Sequence, residues 1–454
     1  MKNWKIAPLI LLLTGCVPFS QEGVPSRAVI AESSLPPMKT FGRAEVRASV
    51  VANADMVRDF IELSFQMESG RPLPVITRFE NDITLRVTGS PPPTLNGDLS
   101  ALLGRLRDEA DITITPTISP DANITIQSVS RKDIRRLLPQ AACFVAPNVS
   151  SLREYRAARR SPRTNWTLLQ TREKVAIFIP NDVSAQEARD CLHEELAQAL
   201  GPLNDLYRLP NSVFNDDNVH TVLTNFDMLI LRATYAPELA SGMSRSDVAA
   251  RLPALFARLN PAGQTGPRPA PSPTPPEWRD AIQTALGPGA SRSMRRSATD
   301  DAVRIATELG WRDNRRGFAH YAKARVLQAT DPAAAKREYM RADQFYARSS
   351  STRLHRAYVA TQLAAYEIAN GNAERALRLI EPNIDLARQS QNAALLATLQ
   401  LLQAEALILA GRDSEARTVT LDSLGWARYG FGPDWAVRAK QREIYALNPG
   451  NAPA

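Results

Sequence analysis

The stretch CLHEELAQALGPLND, Cys191 to Asp205, brings a thiol, an imidazole, adjacent carboxylates and amides into one short segment. His193 beside Glu194 could hold a metal ion, with the carboxylate activating water. That chemistry needs a second imidazole one helical turn on, and the residue there is Ala197. On a helix at ~100° per residue, Ala188, Leu192, Leu196 and Ala199 form the core-facing stripe. Glu195 borders that stripe, and His193 falls on another face. His193 is therefore expected at the surface. Glu195 is the expected inward carboxylate and a candidate general base.

A frame that starts one residue later says more. Glu194-Glu195-x-x-Gln198-x-x-Gly201-x-x-Asn204 resembles the metzincin zinc-protease pattern H-E-x-x-H-x-x-G-x-x-H. The resemblance implies Glu195 as the catalytic Glu and Gly201 as the Gly where the chain turns. Glu194, Gln198 and Asn204 take the ligand positions, with Asp205 able to replace Asn204. It covers about residues 45–245, with a strand entering the motif helix and a later helix carrying Asp227 and Tyr235. The run E-E-x-x-Q-x-x-G-x-x-N-D is also similar to the signature of a bacterial envelope family of domains of unknown function.

The departures from the pattern change the chemistry. Zinc favours imidazole and thiolate over carboxylate and amide oxygen. A set of Glu194, Gln198 and Asn204 or Asp205 is oxygen-only and suits Ca²⁺ or Mg²⁺ better. Such ions acidify bound water less, so hydrolysis at neutral pH is harder. The cofactor expectation stays open between a divalent metal ion and none. One reading is a non-catalytic cluster that binds peptide or protein, or clamps the loop 202–217 to the helix. The other is a metal-dependent, peptidase-like hydrolase with Glu195 as general base. Asn215-Asp216-Asp217-Asn218 lacks the spacing of a calcium loop and is expected to be a solvated turn. His220, His320 and His355 form no spaced cluster.

The N-terminus sets the address. Lys2 and Lys5 precede the apolar run Ala7 to Leu13, which is too short to span a bilayer, as in an export signal. Leu13-Thr14-Gly15-Cys16 resembles the bacterial lipobox, which implies cleavage before Cys16 and lipidation of its thiol. Val17 follows, and the resemblance then implies outer-membrane delivery, with the chain facing the periplasm. Several acyl chains on Cys16 would form a stable anchor. Of the three cysteines, Cys143 and Cys191 remain, and export to an oxidising compartment predicts that they pair. Two buried thiols are the alternative.

The net charge is +8, carried mainly by scattered Arg. It fits attraction to anionic lipid head groups, peptidoglycan or acidic protein, or plain compositional bias. An exported lipoprotein points away from nucleic acid.

The expected fold is an α+β metzincin-like N-terminal domain, mixed sheet plus helices. A Pro-rich linker joins it to an all-α tetratricopeptide-like helical repeat domain. The boundaries read as a signal peptide over 1–15, a lipidated tether over 16–43, the α+β domain over 44–250, the linker over 258–297 and the repeats over 298–447. Asn53 is expected to cap a first helix and Asp98 a short second one. Ile112-Thr-Ile114, Ile124-Thr-Ile126 and Val175 to Ile179 read as strands. Ser184 and Glu187 form a capping box before the motif helix, and Gly201 is its expected left-handed cap. Gly371 with Ala376 and Gly411 with Ala416 mark turns between paired helices, echoed by Thr330 to Ala335. These pairs are the expected protein-binding surface.

Overall fold

The structure is a computed structural model and describes residues 33–42, 51–265 and 270–451. Cys16 and the export signal lie outside the described residues. The strands are β1 (Ile83–Gly89), β2 (Ile114–Pro116), β3 (Ile124–Val129), β4 (Phe144–Pro147) and β5 (Val175–Pro180). They form a five-stranded sheet in the order β2-β1-β3-β5-β4. All neighbours are parallel except β4, which runs antiparallel along β5. Every residue of β5 is buried, as expected of a strand covered on both faces. β2 and β3 are not neighbours around the Pro120-Asp121 turn, since each pairs with an opposite edge of β1.

The helices of this half are α1 (Asn53–Ser64), α2 (Leu95–Ala110), α3 (Arg131–Leu137), α4 (Leu152–Ala158), α5 (Ala185–Leu200), α6 (Asn225–Thr234) and α7 (Arg245–Leu259). The main core joins α1, α2, α5, α6 and α7 to one face of the sheet. Ile134, Phe144, Ala158 and Phe178 pack on the other face, below α3 and α4. Two expected caps are corrected. Ala52, not Asn53, is the N-cap of α1, because the Asn53 amide donates to the Asn260 carbonyl instead. The second helix begins at Leu95, and Asp98 inside it accepts from the Tyr429 hydroxyl.

The C-terminal part is all helical: α8 (Pro276–Leu286), α9 (Arg292–Glu308), α10 (Asn314–Leu327), α11 (Pro332–Tyr346), α12 (Arg353–Ala369), α13 (Ala373–Gln389), α14 (Ala393–Leu409), α15 (Asp413–Phe431) and α16 (Asp434–Tyr445). Gly371 and Gly411 adopt φ of +73° and +74° at the turns into α13 and α15. A side chain is strained there, which explains the Gly. Ala335, Ala376 and Ala416 are buried where paired helices meet.

The Pro-rich stretch is only partly extended. Pro276 opens α8, a position where its missing N–H is harmless. The helix buries Trp278, Ala281, Ile282 and Ala285. The Trp278 ring meets Tyr207 at 5.1 Å and Trp311 at 5.5 Å. The prolines masked a short apolar stripe that docks on its neighbours.

The expected tether is also bound over its last residues. Leu35 packs with Leu424, Ala427 and Val437. The Lys39 amide donates to the Gly425 carbonyl at 3.0 Å, and its ammonium pairs with Asp422. Phe41 stacks on Trp426 with centroids 4.5 Å apart, and Arg189 of α5 lies over Phe41 and Tyr429. A Cβ on Gly425 would come 2.8 Å from Lys39 Cγ, so this glycine makes room for the segment.

Candidate functional site

Helix α5 is held at both ends. Ser184 Oγ accepts from the Glu187 amide at 3.1 Å, while the Glu187 carboxylate pairs with Arg131 rather than closing a capping box. At the far end Gly201 has φ −168°, so it is not the expected left-handed cap. Its need for Gly is steric, since a Cβ would lie 2.9 Å from Thr234 Cγ2. The helix end is satisfied instead by Arg172. Its guanidinium donates to the carbonyls of Gln198 and Gly201 and to Thr77 Oγ1, and it lies over the Trp166 ring. Burial lowers Arg172 to about 10. Arg172→Ala is expected to lower stability by about 2 kcal/mol, through buried carbonyls left without donors, with partial relief from the lost charge. Urea denaturation checks this.

The Cys143–Cys191 disulfide is present, with Cα atoms 5.9 Å apart. It ties the residue before β4 to α5, one turn ahead of Glu194 and Glu195. Between these elements opens a cleft of ≈ 680 Å³. One wall presents Glu68, Glu194, Glu195, Gln198, Asp205 and Asp216, and the other includes Phe144 and Val145 of β4. Gln283 of α8, from the Pro-rich stretch, also lines it.

Among the described residues, Glu194, Glu195 and Asp205 have no cation beside them, whereas Asp216 has the Tyr207 hydroxyl and Arg279. Glu195 is 5% exposed, and its Oε2 has no hydrogen-bond partner. Asp205 Oδ1 has none either. Burial first, then Glu194 and Glu68, raise Glu195 well above the usual range. Burial, Glu68 and Asp216 push Glu194 up to about 8. Asp205 is raised well above its usual value by burial, then by Glu68 and Glu194. Asp216 is exposed as a residue, yet desolvation of its carboxyl pushes it up to about 6. Asp190, one turn before Glu194, is also raised well above its usual value, first by burial.

The implied ligand set is only partly assembled. Glu194, Gln198 and Asp205 face the cleft. Asn204 is buried away from it and donates to the Glu62 carbonyl at 3.0 Å. Gln198 Nε2 donates to Glu68 at 3.4 Å. Among the described residues, no group of three His, Cys, Asp or Glu side chains is placed to hold a metal ion.

His193 is not at the surface. It is 4% exposed, and its Nδ1 accepts from the Leu223 amide at 3.2 Å. The segment before α6 covers that face, and burial lowers its pKa well below 6.5. The acidic turn is not simply solvated: the Asp217 side chain is buried and meets His355 Nε2 of α12 at 2.8 Å. Asp227 is buried at the start of α6, where Ser212, Val213 and Thr224 donate to it and hold the loop after α5. Glu68 and Arg172 carried no sequence signal. Glu68 reaches the cleft because its amide pairs with the Leu203 carbonyl.

The arrangement defines an α+β domain with a disulfide-braced, carboxyl-lined cleft. Residues 53–254 match the model of a family described as protein of unknown function (DUF2927). No curated protein and no solved structure matches the chain.

Proposed function

We propose that this chain is an envelope lipoprotein, anchored through Cys16, whose cleft binds an extended polypeptide with a basic side chain without cleaving it. The observation that carries this is a shared cleft: the edge strand β4 and the uncompensated carboxyls of Glu194 and Glu195 face each other across it. An edge strand offers backbone donors and acceptors to an added strand. A lysine or arginine entering beside Glu194, Glu195 and Asp205 would supply the missing positive charge and lower their pKa values. The helix pairs from α10 to α15, read as tetratricopeptide-like, would hold a protein partner in an assembly at the periplasmic face of the outer membrane. The metzincin-like reading is supported by the order of strands, motif helix and later helix. The residues do not fit a zinc centre, because among the described residues no three His, Cys, Asp or Glu side chains converge to hold an ion and Asn204 is turned to Glu62.

A second reading is favoured by Glu195 Oε2, a buried carboxyl oxygen without a partner in an open cleft. That is the placement of a proton carrier in a hydrolase. One titration separates the two. Short extended peptides with a single Lys or Arg are expected to bind at pH 8, and their Gln counterparts not. Glu194→Gln with Glu195→Gln is expected to weaken binding at least about thirtyfold, as for loss of one desolvated charge partner. Mass spectrometry is expected to find the peptides intact. Cleavage that disappears in Glu195→Gln would establish the hydrolase instead.

A further inference from the structure

Helix α16 buries Val437 and Ile444 and leaves Trp435 72% exposed and Tyr445 53% exposed. Arg438 and Arg442 are exposed as well. The spacing 435, 438, 442, 445 puts these side chains in one sector of the helix. Arg438, Gln441, Arg442 and Tyr445 line a shallow groove of ≈ 210 Å³. Aromatic rings with one polar edge, flanking two guanidinium groups, match a lipid–water boundary. There the rings sit at head-group depth and the arginines meet phosphate.

The position of this helix names the occupant. Leu35 packs against Val437 of the same helix, and the segment to Gly42 is fixed along α15. Cys16 lies nineteen residues before Leu35. The fold is therefore joined to that residue beside α16, through at most about 65 Å of chain. An acidic protein could also meet the exposed arginines, but the exposed Trp435 and the point of attachment favour a lipid surface.

We propose that the Trp435–Arg438–Arg442–Tyr445 face seats the anchored protein on anionic phospholipid head groups. This shares with the proposed function only the anchor at Cys16, which intact mass of the native protein reads separately. The test uses the unlipidated chain from Val17 onward, which retains every described residue, so acyl chains contribute nothing. It is expected to sediment with phosphatidylcholine vesicles that contain phosphatidylglycerol, and not with phosphatidylcholine alone. Arg438→Gln with Arg442→Gln is expected to weaken this about thirtyfold, at about 1 kcal/mol for each arginine near the surface. Trp435→Phe is expected to remove most of the fluorescence quenching by brominated lipid. An unchanged thermal melt of each variant confirms that it is folded. No vesicle binding by the parent chain, or equal binding by the double variant, overturns the proposal. Capture of an acidic protein through these residues without vesicle binding overturns it too.

Discussion

Replacing both Cys143 and Cys191 by Ser is expected to lower the stability of the chain by about 4 kcal/mol. The bridge closes a sequence separation of 48 residues that contains α4 and β5. Cross-linking that span restricts the unfolded chain strongly, on the loop-entropy argument. Against a typical total of about 5–15 kcal/mol, the loss is large. The urea midpoint of the double variant should fall. The bridge also sets the cleft, since it fastens the wall at Phe144 to the helix that carries Glu194 and Glu195. Peptide binding should therefore weaken even where the variant remains folded. A midpoint equal to that of the parent chain would show that packing of β4 on β5 alone holds this wall.

Stability is expected to fall as pH rises from 6.5 to 8. The histidines work in the opposite sense and end first. His193 is held well below 6.5 and His220 at about 4, in each case first by burial, so both stay neutral in the folded chain. Their protonation in the unfolded chain, half complete at pH 6.5, makes stability rise until about pH 7.5, by less than about 1 kcal/mol for the two together between pH 6.5 and 8. The carboxyls are raised by folding, so the stability they contribute is full below the unfolded pKa and is lost as pH climbs through the folded one. Asp227, raised by burial to about 6, has largely lost its contribution by pH 6.5. Glu194 then titrates up to about 8, while Glu195, Asp205 and Asp190 lie well above their usual values. Glu194 alone contributes about 2 kcal/mol between pH 6.5 and 8, and the other three act with the same sign. Glu194→Gln should consequently melt above the parent chain at pH 8 and close to it at pH 6.5. A bound basic peptide should flatten the slope, because the carboxylates would then be compensated. Stability that rises across this interval would contradict the picture of uncompensated carboxyls.

A folded chain gains nothing in stability from crowding acidic groups without partners. Such a cluster is the usual mark of function placed against stability. That argument connects the pH slope to the cleft and makes a cationic guest the natural complement.

Parts of this arrangement are legible in the chain itself. The run VAIFI marks β5 because a strand covered on both faces must be apolar throughout. The stripe through Ala188, Leu192, Leu196 and Ala199 orients α5 and turns Glu195 inward. Gly371 and Gly411 mark inter-helix turns because their backbone signs exclude other residues at little cost. The pairing of Cys143 with Cys191, expected from the export reading of the N-terminus, is present.

Other parts depend on contacts far apart in sequence. Periodicity along α5 places His193 outside, yet the segment at Leu223 covers that face. Proline density hides α8, whose Trp278 is buried only because Tyr207 and Trp311 are brought to it. The segment ending at Gly42 reads as a tether, and only α15 supplies the groove that holds it. Sequence by itself determines which faces are apolar, which turns need glycine and which thiols are available, since these follow from local stereochemistry and residue type. Tertiary structure alone decides that Glu68, Glu194, Glu195, Asp205 and Asp216 share one cleft and that Asn204 leaves it. The pKa values follow from that convergence, because desolvation and charge repulsion act through space and have no counterpart in the order of residues.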